Sequence, residues 1–255
     1  MSALITGASA GIGREFAEQL AAKGESLVLV ARDAVRLESI AQDLRSAHGV
    51  SVEVLPADLS DRDALERVAE RLRDPSRPVD LLVNNAGYSL NSRFVDSDVR
   101  DEEQLLDVLV RAVLVLSHAS TTTMVARGHG RIINVSSVAG LLASGTYASA
   151  KAYVTTFSES LASQLAGTGV GVTALLPGYV RTEFHQRAGI DKGTRTGPFW
   201  LDAGDLVRAA LADAGAGKVV SVPSLQYKVL AGVARHVPRF LVRNPRISAL
   251  HRKGQ

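Results

Sequence analysis

Tyr147 and Lys151, in the run Tyr-Ala-Ser-Ala-Lys, stand four residues apart. On a helix that spacing puts a phenol and an ammonium on one face, close enough to act on the same atom. Near the start of the chain, Thr6-Gly7-Ala8-Ser9-Ala10-Gly11-Ile12-Gly13 follows a short apolar run and opens a helical pattern. A glycine turn in that setting is built to hold a dinucleotide. One half of the pair can bind a redox cofactor and the other can handle a proton. Together they describe chemistry in which a hydride and a proton move in the same reaction.

These residues need a scaffold, and the hydrophobic pattern supplies one. Apolar runs rich in Val, Ile and Leu recur at 3–6, 26–31, 51–55, 80–83, 130–135, 170–175 and 218–222. Most are continuous rather than alternating, as strands buried on both faces should be. Helical periodicity fills 11–23, 34–47, 61–73, 101–127, 147–166 and 203–213. The alternation predicts a single doubly wound α/β domain of the Rossmann type over 1–255, a parallel sheet with helices on both faces. Asp61 and Asp202 are expected to cap helices, and Gly24 to end one.

In such a fold the first strand-to-helix turn meets the pyrophosphate of a dinucleotide, because unpaired amides and the helix dipole converge there. Gly7, Ser9, Ala10, Gly11, Ile12 and Gly13 form that turn, with the spacing G-x-x-x-G-x-G. Glycine suits it because a Cβ would block close approach. The end of the second strand then selects the cofactor. An NAD site usually carries an acid there, to hold the ribose 2′-hydroxyl. Here Ala31 is followed by Arg32, and a forked guanidinium suits a 2′-phosphate. Asp33 is read as the cap of the next helix. NADP(H) is the expected cofactor ahead of NAD(H).

Composition narrows the classes further. The chain has 255 residues, is 46% hydrophobic and contains no cysteine, so it can bury a full core but has no disulfide or thiolate metal site. No metal ligands are assigned. No basic leader precedes the strand pattern at Ala3-Leu4-Ile5, and no apolar run reaches the roughly 20 residues that cross a bilayer. A cytoplasmic protein is expected. Charge is uneven: eight of the 29 Lys and Arg lie in residues 214–255, which hold no acid, whereas residues 1–213 hold 21 basic and 26 acidic side chains.

The motifs, taken in order, resemble the classical short-chain dehydrogenases/reductases. Besides the glycine turn and Tyr147-x-x-x-Lys151 they comprise Asp58 in Pro-Ala-Asp-Leu, Asn84-Asn85-Ala86-Gly87, Ser136-Ser137 and Pro177-Gly178-Tyr179-Val180-Arg181-Thr182. The resemblance spans the first strand to about residue 213. It implies that Asp58 and Leu59 border the adenine, that Asn85, Ala86 and Gly87 line the cofactor cleft, and that Pro177, Gly178, Val180 and Thr182 hold the nicotinamide end. It also implies catalysis by Ser137, Tyr147 and Lys151, and assembly as a homodimer or homotetramer through helices 101–127 and 147–166. Carbonyl reduction needs hydride at carbon and a proton at oxygen, so Tyr147 is expected to be the acid in reduction and the base in oxidation. Lys151 is expected to lower the tyrosine's pKa and to reach the cofactor ribose. Ser137 would hold the substrate oxygen, with Ser136 the alternative.

Two departures stand out. The family's usual asparagine in the helix before the fifth strand aligns with Leu109, which can neither donate nor accept a hydrogen bond. Ser137 precedes Tyr147 by ten residues where about thirteen is usual. The shorter loop leaves Gly140 to Gly145 as an apolar rim and is expected to alter substrate shape rather than chemistry.

Residues 183–200 have little periodicity and read as a lid. Its Phe184, Phe199 and Trp200 either face an apolar substrate or dock the lid, and His185 is read as a lid residue. From about 223 to 255 runs a basic extension in which Leu225, Val229, Val233 and Val237 share one face, interrupted by Pro238 and Pro245. Such a stretch can lie on an anionic membrane or meet a phosphorylated carrier. Packed helices roofing the pocket, with their charges in water, are the preferred reading, and no nucleic-acid motif is present. The whole predicts an NADP(H)-dependent oxidoreductase interconverting an alcohol and a small-molecule ketone or aldehyde, apolar by its rim. A 3-oxoacyl-carrier reductase is the alternative. An NADP(H)-binding sensor or scaffold with little turnover is a third reading, which Leu109 keeps open.

Overall fold

A computed structural model describes residues 1–90, 92–182, 197 and 199–236. Its centre is a seven-stranded sheet in the order β3-β2-β1-β4-β5-β6-β9. The strands are β1 Ser2–Thr6, β2 Ser26–Ala31, β3 Val52–Pro56, β4 Leu81–Asn84, β5 Gly130–Val135, β6 Val170–Leu175 and β9 Val220–Ser221. Every neighbouring pair is parallel. A separate two-stranded parallel ribbon pairs β7 Tyr179–Val180 with β8 Trp200–Leu201. It joins the two sides of the stretch expected as a lid. Of that stretch only Gly197, Phe199 and Trp200 are described; Phe184 and His185 lie outside the described residues.

Alternate side chains of the sheet divide between two cores, as the pleat requires. Ile5, Leu29, Val83 and Ile133 face α1 Gly11–Ala21, α2 Ala34–His48 and α7 Ala203–Gly215, packing on Phe16, Leu37, Leu44 and Val207. Leu4, Val28, Leu82 and Ile132 face α3 Arg62–Arg73 and α5 Ala112–Arg127, meeting Val68, Leu72, Leu116 and Ala119. Strands covered on both faces have no polar side to show, hence their continuous apolar runs.

The expected caps are in place. Asp61 Oδ1 accepts from Ala64 N at 2.7 Å, Asp202 Oδ1 from Gly204 N at 2.8 Å, and Asp33 Oδ1 from Arg36 N at 2.9 Å. Gly24, at φ +78°, follows the end of α1. The helix expected over 101–127 is different. It begins earlier, as α4 Val99–Leu106, and widens into a π turn at Asp107–Arg111 before continuing as α5. The Ala112 amide closes the turn on the Asp107 carbonyl. Taken together, Val99–Arg127 is long and apolar enough to cross a membrane by length and composition. Its Ala112, Leu116, Ala119 and Met124 are instead buried in the core.

Helix α6 Gly145–Gln164 carries both Tyr147 and Lys151, and α8 Leu225–His236 closes the described chain. The winding reverses between β1 and β4. In an open α/β sheet the crevice at the carboxyl ends of those strands is where ligands bind.

Candidate active site

A cleft of about 980 Å³ opens at that reversal. It is lined by Gly7, Ser9, Ala10, Gly11, Ile12, Arg32, Asp58, Leu59, Asn85, Ala86, Gly87, Ser137, Tyr147, Lys151, Pro177, Gly178, Val180 and Thr182. Of the residues expected to bind cofactor, Gly13 is missing from this wall. A Cβ there would stand 2.3 Å from Gly7 O and 2.4 Å from Asn85 Nδ2. Gly13 lies beneath the turn and lets helix and turn pack, so its requirement is steric rather than ligand contact.

The turn fits a pyrophosphate. Gly7 and Gly11 have φ of +67° and +54°, which L side chains rarely adopt. The first residue before α1, Ala10, offers no side-chain cap, so the helix's leading amides are not taken up by an oxygen from that position. Thr6 and Asn85 brace the turn from below. Thr6 Oγ1 accepts from Asn85 N at 2.9 Å and Ala86 N at 3.0 Å, while Asn85 Nδ2 donates to Thr6 O at 2.9 Å. Asn85 therefore shapes the cleft partly by holding β4 against the glycine turn.

At the far end Arg32 lies near Asp58, whose carboxyl is held below its ordinary range. Burial pushes that carboxyl up, but hydrogen bonds from the Ser60 amide and hydroxyl outweigh it and Arg32 adds to them. Those bonds are 2.9 and 2.7 Å. Arg36, one turn into α2, lines the same end. Sequence reasoning passed over it, although its position three residues after the Asp33 cap points its helix turn at the cleft. Tyr88 was also missed; it lines the cleft and packs with Leu105 and Leu109.

The proton-handling side chains converge where β5 meets α6. Tyr147 and Ser137 both line this part of the cleft, and the serine hydroxyl eases ionisation of the phenol. Ser137 Oγ accepts from Ala139 N at 3.1 Å, so the serine is held at the start of the short helical turn Val138–Leu141. Ser136 is committed elsewhere. It is 2% exposed, donates to Lys151 O at 2.6 Å and exchanges a hydrogen bond with Thr155 at 2.7 Å. Both serines border the cleft, but the Ser136 hydroxyl is spent on pinning α6 to the sheet.

Lys151 Nζ sits 5.7 Å from the Tyr147 ring centre and donates to Val135 O at 2.7 Å. Burial alone lowers this ammonium to about 8. Tyr147 goes up, to about 12, because burial outweighs the effect of the Ser137 hydroxyl. Desolvation of the phenolate, rather than the lysine expected to lower it, sets the direction here. A phenol held firmly protonated beside a hydroxyl can deliver a proton to an oxygen placed between them.

The short loop between Ser137 and Tyr147 is accommodated by Gly140. A Cβ on it would stand 2.7 Å from Ala152 N, so the turn lies directly on the α6 backbone. Leu141 and Leu142 then form an apolar rim of the cleft. Behind the site, Asn84 Nδ2 donates to Asn134 Oδ1 at 2.9 Å and Asn134 Nδ2 to Ser158 Oγ at 2.9 Å, tying β4, β5 and α6 together.

A helix of the C-terminal extension roofs the cleft, in line with the preferred reading of the sequence. Tyr227 of α8 packs so tightly on Gly178 that a Cβ there would fall 2.0 Å from its ring. Its hydroxyl accepts from Tyr179 N at 3.1 Å and donates to Phe199 O at 2.9 Å. Tyr179, Tyr227 and Leu230 line the cleft, whereas Phe199 and Trp200 do not. Trp200 lies against Tyr179, with ring centres 5.6 Å apart, and Phe199 lies edge-on to Tyr227 at 6.3 Å. These two aromatics dock their segment. The rest of the basic extension, from Val237 on, lies outside the described residues.

This fold and this cleft define a nicotinamide-dependent α/β oxidoreductase. Residues 1–193 match the family described as short chain dehydrogenase, and the chain belongs to it. The 3-oxoacyl-[acyl-carrier-protein] reductase of Escherichia coli is 36% identical over 197 residues, covering 74% of this chain and 79% of the relative. A short-chain dehydrogenase from Sphingobium yanoikuyae, solved in complex with NADPH, is 38% identical with a TM-score of 0.84, covering 92% of this chain and 93% of its own. A bulky-bulky ketone specific alcohol dehydrogenase from Comamonas testosteroni is 32% identical with a TM-score of 0.79, covering 93% and 94%.

Proposed function

We propose that this enzyme reduces a bulky, apolar ketone or aldehyde with NADPH, Tyr147 giving the proton. The convergence of Ser137 and Tyr147 beneath the rim of Leu141 and Leu142 carries the reading. The nicotinamide supplies the hydride when bound. Ser137 and Tyr147 hold the carbonyl oxygen, and the phenol passes its proton to that oxygen as negative charge grows there. Lys151 offers an ammonium below pH about 8. The glycine turn and the amides of α1 hold the pyrophosphate, and Arg32 with Arg36 faces a 2′-phosphate. The Comamonas relative, named for bulky ketones, supports the size of the substrate. The Sphingobium relative supports the choice of NADPH.

The Escherichia coli relative favours a second reading, reduction of a 3-oxoacyl group on a carrier protein, for which the basic residues 214–255 would be the docking surface. One assay separates the two: NADPH oxidation with bulky ketones, aldehydes and 3-oxoacyl thioesters, with NADH alongside and Tyr147→Phe as control. Turnover of ketones that the variant lowers by about 10²–10⁴-fold, with NADPH binding retained, is the expected result. Preference for the thioesters transfers the assignment to the second reading. NADPH binding without turnover in either protein would make it a sensor.

A further inference from the structure

Helix α8 has two apolar faces where a roof needs one. Tyr227 and Ala231 turn inward, 3% and 6% exposed. Leu225, Val229 and Val233, spaced every four residues, point away from the protein at 77%, 60% and 56% exposed. The sequence places these three, with Val237, on one face; it is the opposite face, with Tyr227 and Ala231, that docks. Leu230, half exposed, stands at the cleft and extends the apolar surface to its mouth.

Charge decides what this surface can meet. Residues 214–255 carry eight Lys and Arg and no Asp or Glu, with Lys228 and Arg235 on α8 itself. A second copy of α8 laid against the first would bring cations onto cations. The chain's own residues 237–255, with five Lys and Arg and no acid, would meet the same repulsion. An anionic bilayer satisfies both features, since aliphatic side chains enter the acyl boundary while cations stay at the headgroups.

We propose that α8 docks the enzyme on an anionic lipid bilayer, with the mouth of the cleft beside the lipid. The docking stands independently of the reaction. Its consequence, that an apolar carbonyl reaches the cleft from the bilayer, rests on the reading under Proposed function.

The test uses the full chain and vesicles of phosphatidylglycerol with phosphatidylcholine, against phosphatidylcholine alone. Sedimentation with the anionic vesicles is expected, weaker in high salt, and about fivefold weaker for Lys228→Gln. Leu225→Ser/Val229→Ser/Val233→Ser, at exposed positions outside the cleft wall, is expected to lose more than about tenfold while still binding NADPH. The chain has no cysteine, so Val229→Cys can carry a single polarity-sensitive dye, whose emission should shift to the blue on anionic vesicles. A wild-type chain that stays in solution overturns the proposal. So does a triple variant that sediments as well as wild type, a dye that reports no change, or a dimer that the triple variant dissolves. Turnover of a water-soluble ketone, followed separately, reports on the catalytic reading without reference to lipid.

Discussion

Leu109 and Gly87 are in contact closely enough that a Cβ on the glycine would stand 2.8 Å from Leu109 Cδ2, and 3.8 Å from Lys151 Nζ. Hydrocarbon therefore stands beside the lysine at the place where the resemblance implies an asparagine. Leu109 is fully buried, in a small cluster with Leu105 and Ala150 against Tyr88 and Tyr147. The π turn at Asp107–Arg111 is the segment that carries it, and such turns often mark functional sites.

Gly87→Ala is expected to destabilise the protein by about 1–3 kcal/mol through overpacking. Leu109→Ala alone removes buried hydrocarbon and should cost about 2–5 kcal/mol. Because the added methyl occupies part of the space the leucine leaves, the double variant should lose less than the sum of the two. Denaturant midpoints of the four proteins measure the coupling, and strict additivity would show that the contact is not made.

Ser136 and Ser137 should separate on substitution. Ser137→Ala, losing a donor to the substrate oxygen, is expected to lower kcat by about 10²–10³-fold with little change in thermal midpoint. Ser136→Ala leaves the buried Thr155 hydroxyl with one partner fewer and frees the Lys151 carbonyl of one donor. It should cost about 1–3 kcal/mol of stability with a smaller effect on kcat. Kinetics and thermal melts on both variants decide which serine faces the chemistry.

The burial of Lys151 has a signed consequence. Its folded pKa, about 8, lies below the ordinary 10.5. Between these values the unfolded chain binds more protons than the folded one, so stability rises with pH across about 8 to 10.5 and is lost as pH falls through 8. Lys151→Met should be the more stable protein at pH 7, with the advantage shrinking as pH climbs through that window. In the wild type NADPH affinity is expected to weaken above pH about 8 as the ammonium is lost, a slope the variant should lack. Tyr147, pushed up to about 12, does not account for a limb at pH 8.

Arg32→Ala is expected to weaken NADPH binding by about 10–100-fold, the loss of a charge-assisted bond, and to leave NADH nearly unchanged. Arg36→Ala should move the same ratio by less. Fluorescence titration of both cofactors measures it; equal losses for the two would place the arginines away from a 2′-phosphate.

Much of this was legible in the sequence because the determinants are local. Helix capping by Asp33, Asp61 and Asp202 depends on the next three residues. The i, i+4 pairing of Tyr147 and Lys151 depends only on one helix, and the positive φ of Gly7 and Gly11 on one turn. The continuous apolar runs predicted a sheet covered on both sides because no stretch could afford a wet face.

What the tertiary structure decided depends on residues far apart in the chain. The role of Gly13 is set by Gly7 O and Asn85, and that of Gly178 by the ring of Tyr227, 49 residues on. The split between Ser136 and Ser137 follows from which of two adjacent, opposed side chains meets α6. The rise of the Tyr147 pKa follows from burial, a property of everything packed around it rather than of the lysine one turn away. Periodicity in α8 revealed that Leu225, Val229 and Val233 share a face. Only the docking of Tyr227 settled that this face looks outward, because a helix with two apolar faces can bury either one.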